Sequence, residues 1–135
     1  MSDSEVVSRL RTIQSEQMKP TEPDESDDCG AFGWLRGPRE RAMMLEIRER
    51  SGEISLFSYA FLHPVFYDPS GQLILQFGVQ KVVIQGENLK QEVQPNVTLL
   101  GCLGRHRVTW IAESESSLIL TGTKLITIES ISIVN

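Results

Sequence analysis

Four residues, Asp68-Pro69-Ser70-Gly71, constrain the fold more than any other stretch of this chain. Aspartate suits the first place of a type I turn, proline presets φ at the second, and glycine closes it. Apolar arms flank the turn, Leu62 to Tyr67 on one side and Leu73 to Phe77 on the other, so the unit reads as a β-hairpin. The β-branched run Lys81 to Gly86 adds a third strand to the meander. Leu73, Leu75 and Phe77 fall on one face of their strand, with Ile74 partly covering the other, and Gly78 allows the bend that follows. His63 precedes Pro64, which restricts it to extended backbone, and it reads as an edge or core histidine.

Upstream, residues 39–50 carry two competing patterns. Ala42 to Glu46 favour a helix, with Pro38 suited to its first turn and Gly52 to its end. Met43, Leu45 and Ile47, however, alternate with Met44, Glu46 and Arg48, and Arg50-Ser51-Gly52-Glu53 leads like a hairpin loop into the alternating run Ile54 to Tyr59. The second strand decides for strand over helix. Phe32 and Trp34, set among glycines, read as anchors of a segment laid over the edge of the core.

Downstream, Pro95 interrupts any long helix, and Val97, Leu99, Leu100 and Leu103 suit a short helix within residues 96–104. Arg107 to Ala112 resumes strand character, with Val108 and Trp110 in step and Trp110 expected in the core. The chain closes on Leu118 to Thr121, a turn at Gly122-Thr123, and the β-branched run Lys124 to Val134. Ile126 and Ile128 share a parity that Ile131 and Ile133 abandon, which implies either a bulge near Ser130 or a strand covered on both faces. The expected fold is mainly β: a small antiparallel sheet, barrel or sandwich of about seven strands, preceded by an N-terminal amphipathic helix.

That helix is expected over residues 4–18, with Ser4 as N-cap and Val6, Val7, Leu10 and Ile13 along one narrow stripe. A lone helix of this length is marginal in water unless its stripe docks. Lys19 to Asp28 holds prolines and like charges with no large apolar residue, and reads as a tether. The expected organisation is therefore helix and acidic tether over 1–30, and one β-rich domain over 31–135. Residues 1–30 carry eight acids against three bases, a balance of −5 that equals the formal net charge of the whole 135-residue chain. Residues 31–135 are therefore neutral, which removes the usual electrostatic support for nonspecific nucleic-acid binding.

The opening residues lack a basic, apolar leader pattern, and no apolar run approaches the ~18 residues of a membrane span. The expectation is a cytoplasmic protein whose two cysteines, Cys29 and Cys102, are free thiols. No phosphate loop, paired metal-binding cysteines, His-Glu-x-x-His or nucleophile elbow is present in the sequence. Cys102 and His106 stand at helical spacing, but neither a second metal-binding pair nor an orienting third group accompanies them. No catalytic, cofactor or metal residue is therefore assigned. Arg36, Arg39 and Arg41 form the densest cationic stretch and are candidate anion contacts, although the interleaved Glu40 favours a salt-paired face.

Three functional expectations follow. The first is a non-enzymatic protein-interaction or self-association module, with Val6, Leu10, Ile13, Ile131 and Ile133 as candidate contacts. The amphipathic start, the acidic linker and the apolar terminal hairpin motivate this expectation, since an open apolar edge invites pairing. The second starts from an N-terminal helix before about five strongly bent strands, with Leu45 to Gly86 of about the right length, an arrangement that resembles the Sm-like barrel in outline; that resemblance implies RNA binding, against which the neutral body argues. The third is a small-molecule or enzymatic pocket using Arg105, His106 and Trp110.

Overall fold

A computed structural model describes residues 26–115 and 125–135. The expected N-terminal helix with Val6, Leu10 and Ile13 lies outside the described residues, as does Leu118 to Thr121. Among the described residues nine strands form two sheets. The first holds β1 (Ser26–Asp28), β2 (Phe32–Leu35), β8 (Val108–Ala112), β3 (Met44–Arg48) and β4 (Ile54–Ser58), in that spatial order. The second holds β5 (Leu62–Asp68), β6 (Gln72–Phe77), β7 (Gln80–Glu87) and β9 (Thr127–Val134). All pairings are antiparallel except β3 with β8.

The meander forms as its turn chemistry requires. The Gly71 amide donates to Asp68 O at 2.8 Å, and Gly71 takes φ +100°, a value that only glycine adopts without strain. Leu73, Leu75 and Phe77 point inward, and in β7 Ile84 pairs with Leu73 and Val82 with Leu75. Residues 44–48 are strand, so the alternation of Leu45 and Ile47 outweighs the helical propensity of Ala42 to Glu46. The reason is tertiary: both side chains are fully buried against the second sheet, a return that an isolated helix turn would not offer. One core joins the two sheets. Phe32, Trp34, Leu45, Ile47 and Phe57 face Leu73, Leu75, Phe77, Ile84 and Ile128, and the Phe57 and Phe77 rings stack at 4.7 Å across the sandwich.

The expected short helix is α1 (Leu99–Gly104), started by Thr98, whose Oγ1 accepts from the Gly101 amide at 3.0 Å. It adds Leu99, Cys102 and Leu103 to the core. Between β4 and β5 a single 3-10 turn, Tyr59–Phe61, carries the chain from one sheet to the other.

Three features differ from the sequence reading or complete it. The last three residues of the expected tether, Ser26–Asp28, pair with β2 as strand β1. The aspartates supply the local chemistry: Asp28 Oδ1 accepts from the Gly30 amide, and Asp27 meets Arg36 at 3.8 Å and Gln94 at 3.2 Å. Second, Trp110 is not in the core. β8 pairs Trp110 with Gly33 but Val108 with Trp34, so Thr109 is an extra residue and the parity flips. Val108 and Ile111 are buried, while Trp110 turns to the outer face. Third, β9 carries the bulge that the isoleucine parity implied. Gln85 pairs with Ser130 but Gly86 with Ile128, which leaves Glu129 as the extra residue and brings both Ile128 and Ile131 inside.

A polar clamp holds the bulge against the other sheet. Glu113, just past β8, accepts from the Ile131 amide at 3.0 Å and the Arg50 amide at 2.8 Å. The Arg50 guanidinium then donates to Ser114 O and Glu129 O at 2.8 and 2.7 Å. The loop between β3 and β4 is thereby tied to the bulged strand of the facing sheet.

Candidate interaction surface

A sandwich has four edge strands, and each exposes a row of N–H and C=O groups that can template another strand. Among the described residues the edges are β1 and β4 of the first sheet, and β5 and β9 of the second. Three carry a recognisable guard. β1 is three residues long, and two of them are aspartates. β5 contains Pro64, which has no N–H to offer, and an irregular register between Leu62 and Val65. β9 carries the Glu129 bulge. β4, with the sequence Ile-Ser-Leu-Phe-Ser, has no charge, no proline and no bulge.

The hydrogen-bonding parity of β4 follows from its ends. The Glu49 amide donates to Glu53 O and the Tyr59 amide to Met43 O, so the bonded pairs with β3 are those of Ser55, Phe57 and Tyr59. The N–H and C=O groups of Ile54, Leu56 and Ser58 therefore point away from β3, and among the described residues no strand lies beyond them. Ile54 and Leu56 also turn their side chains out, and each is 60% exposed. Backbone demand and apolar surface thus coincide on the same residues.

The neighbouring strands prepare this face. Arg48 donates to Glu46 at 2.6 Å and lies over the Trp110 ring at 4.3 Å. Trp110 in turn rests on Gly33, where a Cβ would collide with the indole. On the outer face beside β4 the charges of Glu46 and Arg48 therefore neutralise each other. Across the 3-10 turn, Phe61 and Phe66 on and near β5 are exposed as well, so both edges at this side of the sandwich carry apolar side chains.

The candidate contacts from sequence are distributed differently. Ile131 is only 6% exposed and belongs to the core, because the Glu129 bulge turns it inward; its surface is spent within this chain. Ile133 is half-buried. Arg36, Arg39 and Arg41 are all exposed, but Arg36 faces Asp27, and Arg41 donates to Pro38 O and Glu40 O, so two of the three guanidiniums have intramolecular acceptors. The β4 edge was missed in sequence because the alternation of Ile54 and Leu56 with Ser55 and Phe57 names two faces without saying which is buried. The register with β3 puts Phe57 on the face of Leu45 and Ile47, and the distant second sheet covers that face, which leaves Ile54 and Leu56 in solvent.

The sites sought for chemistry do not assemble. Cys102 is buried, and burial pushes its thiol up from the ordinary value despite the opposing influence of Arg107 and Arg105. His106 lies beyond α1 at φ +58°, and its ring stacks on Tyr59 at 4.6 Å. Trp110 stands under Arg48 on the outer face, while Arg105 is exposed at the end of α1. Arg105, His106 and Trp110 thus serve separate surroundings. Arg107 is buried and donates to Leu35 O and Arg36 O, so its charge is engaged by carbonyls. Among the described residues no group of His, Cys, Asp and Glu could hold a metal ion, and no helix is long and apolar enough to cross a membrane.

Two clefts among the described residues bear on these candidates. One of about 590 Å³ is lined by Cys29, Ala31, Gln91, Val93, Ser114 and Leu125 among others, and a shallower polar one of about 360 Å³ lies at the Asp68–Gly71 turn beside Gly86. Neither contains Arg105, His106 or Trp110. Compared with protein-family models, with curated proteins and with solved structures, the chain gives no match.

Proposed function

We propose that this chain is a protein-interaction module that works by strand addition at β4. One observation carries the reading: Ile54, Leu56 and Ser58 offer their backbone groups to an unguarded edge, on which Ile54 and Leu56 are each 60% exposed. Natural sheets blunt their edges with charge, proline or bulges, and the other three edges here follow that practice. Retaining an unblunted edge is costly in solubility unless something pairs with it. Strand addition draws its affinity from main-chain hydrogen bonds and its specificity from alternate side chains, here Ile54 and Leu56.

The test is affinity capture with the full chain and with its Leu56→Lys variant, from lysate of cells that produce the protein. A lysine at the centre of the edge keeps the pairing with β3, because residue 56 bonds outward, yet it places a charge where the incoming strand must pack. The expected result is a set of bound proteins, other copies of this chain included, that the variant loses. Equal retention by both forms would overturn the reading.

A further inference from the structure

The observations say more about which strand fits this edge. Resting on the strand-addition reading, we propose that the occupant is β4 of a second copy, paired antiparallel about a twofold axis at Leu56, so that two first sheets join into one continuous sheet.

The parity of β4 permits this register without adjustment. Leu56 bonds outward, so a twofold axis beside it makes Leu56 of each copy donate to, and accept from, Leu56 of the other. Ile54 of each then meets Ser58 of the other in a second and third bonded pair. Every outward N–H and C=O of the strand is satisfied, and none is left over. An isologous contact of this kind also closes on itself, which stops the exposed edge from recruiting further chains.

Charge distribution suits a second copy. β4 is uncharged, and the nearest charges on its outer face, Glu46 and Arg48, neutralise each other. The acidic residues Asp27 and Asp28 lie on β1, at the opposite edge of the same sheet. Four strand spacings separate the two edges, roughly 19 Å. In the paired arrangement the acidic edges of the two copies are therefore farthest apart, well beyond a screening length of about 8 Å. Residues 31–135 carry a net charge of zero. The apolar rows match too: Ile54 and Leu56 of the two copies pack beside one another, with Met44, itself 42% exposed, next to Ser58 at either end. Two five-residue strands form a contact on the small side of stable interfaces, so the dimer is of the reversible kind.

Sedimentation velocity on the full chain over a wide concentration range tests association, and disulfide trapping tests the register. In a Cys29→Ser background, Leu56→Cys brings two thiols to a Cα separation of about 5.5 Å, within disulfide reach. Ile54→Cys leaves its own mate four residues away, roughly 13 Å. The expected results are a concentration-dependent dimer, its loss in Leu56→Lys and Leu56→Pro, and rapid trapping of Leu56→Cys but not of Ile54→Cys. Far-ultraviolet spectra establish that each variant folds, and Leu56→Lys carries the test if the proline variant does not. A strict monomer, a dimer indifferent to Leu56→Lys, or trapping of Ile54→Cys as fast as Leu56→Cys would overturn the proposal. A strict monomer whose captured proteins still depend on Leu56 sinks only the second copy, with a foreign strand in its place. One whose captured proteins do not depend on Leu56 sinks the interaction reading as well.

Discussion

Residue by residue, the structure assigns work to side chains that composition leaves anonymous. Gly33 is one. Its missing Cβ is the floor on which the Trp110 indole lies, and Arg48 closes the stack from above. Gly33→Ala would push the ring off this seat, with a cost of about 1–3 kcal/mol expected for an overpacked contact. A lowered urea midpoint together with a red-shifted tryptophan emission would register both effects. Tyr59 is another. It is buried, donates to Val108 O at 2.7 Å, and burial holds its phenol well above the ordinary range, with lesser influence from Cys102. The buried Cys102 thiol is raised in the same direction. An unfolded chain releases these protons at roughly pH 8.5 for the thiol and 10 for the phenol, whereas the folded chain keeps them. Stability is therefore fully present at neutral pH and declines as pH rises above about 9, with a limiting slope of about 1.4 kcal/mol per unit for each group. Tyr59→Phe should lose about 1 kcal/mol at pH 7 with its hydrogen bond, yet show a shallower decline between pH 9 and 11. A decline of unchanged steepness would show that Tyr59 is not its source.

Among the elements, the two bulges matter most, because each reverses which side chains face the core. Thr109 in β8 sends Trp110 out, and Glu129 in β9 brings Ile131 in. The β9 bulge depends on a partner in the other sheet: Glu113 accepts from the Ile131 amide, and Arg50 donates to Glu129 O. The side chain of Glu113 is 10% exposed, so its hydrogen bonds operate largely out of water. Glu113→Ala should cost about 1–3 kcal/mol, the range for bonds to a charged acceptor whose donors are then left unpaired. Arg50→Ala should cost less, since its side chain is more exposed. The double variant should fall short of the sum of the two, as measured by denaturant midpoints in a double-mutant cycle. Strict additivity would mean that the two residues act independently.

For the molecule as a whole, a single core spans both sheets and α1, with Phe57 and Phe77 stacked between the layers. Neither sheet has a hydrophobic centre of its own, so the described body should unfold in one cooperative step. Tryptophan emission and far-ultraviolet dichroism should report the same urea midpoint, and two separated transitions would argue that one sheet survives alone. Much of this architecture was legible in the sequence. Asp68-Pro69-Ser70-Gly71 specified its hairpin because turn chemistry is local, and Leu73, Leu75 and Phe77 declared their common face because a strand has period two. The break in isoleucine parity near Ser130 left a bulge or a doubly covered strand, and the pairing with β7 decides for the bulge. Alternation, however, distinguishes two faces of a strand and is silent on which of them another sheet will cover. That choice, which buries Phe57 and leaves Ile54 and Leu56 in solvent, is a matter of pairing partners distant in the chain. So is the order of strands that makes β4 an edge. Local backbone preference determined where the chain turns and extends; the long-range burial of one shared core decided which surface was left over for binding.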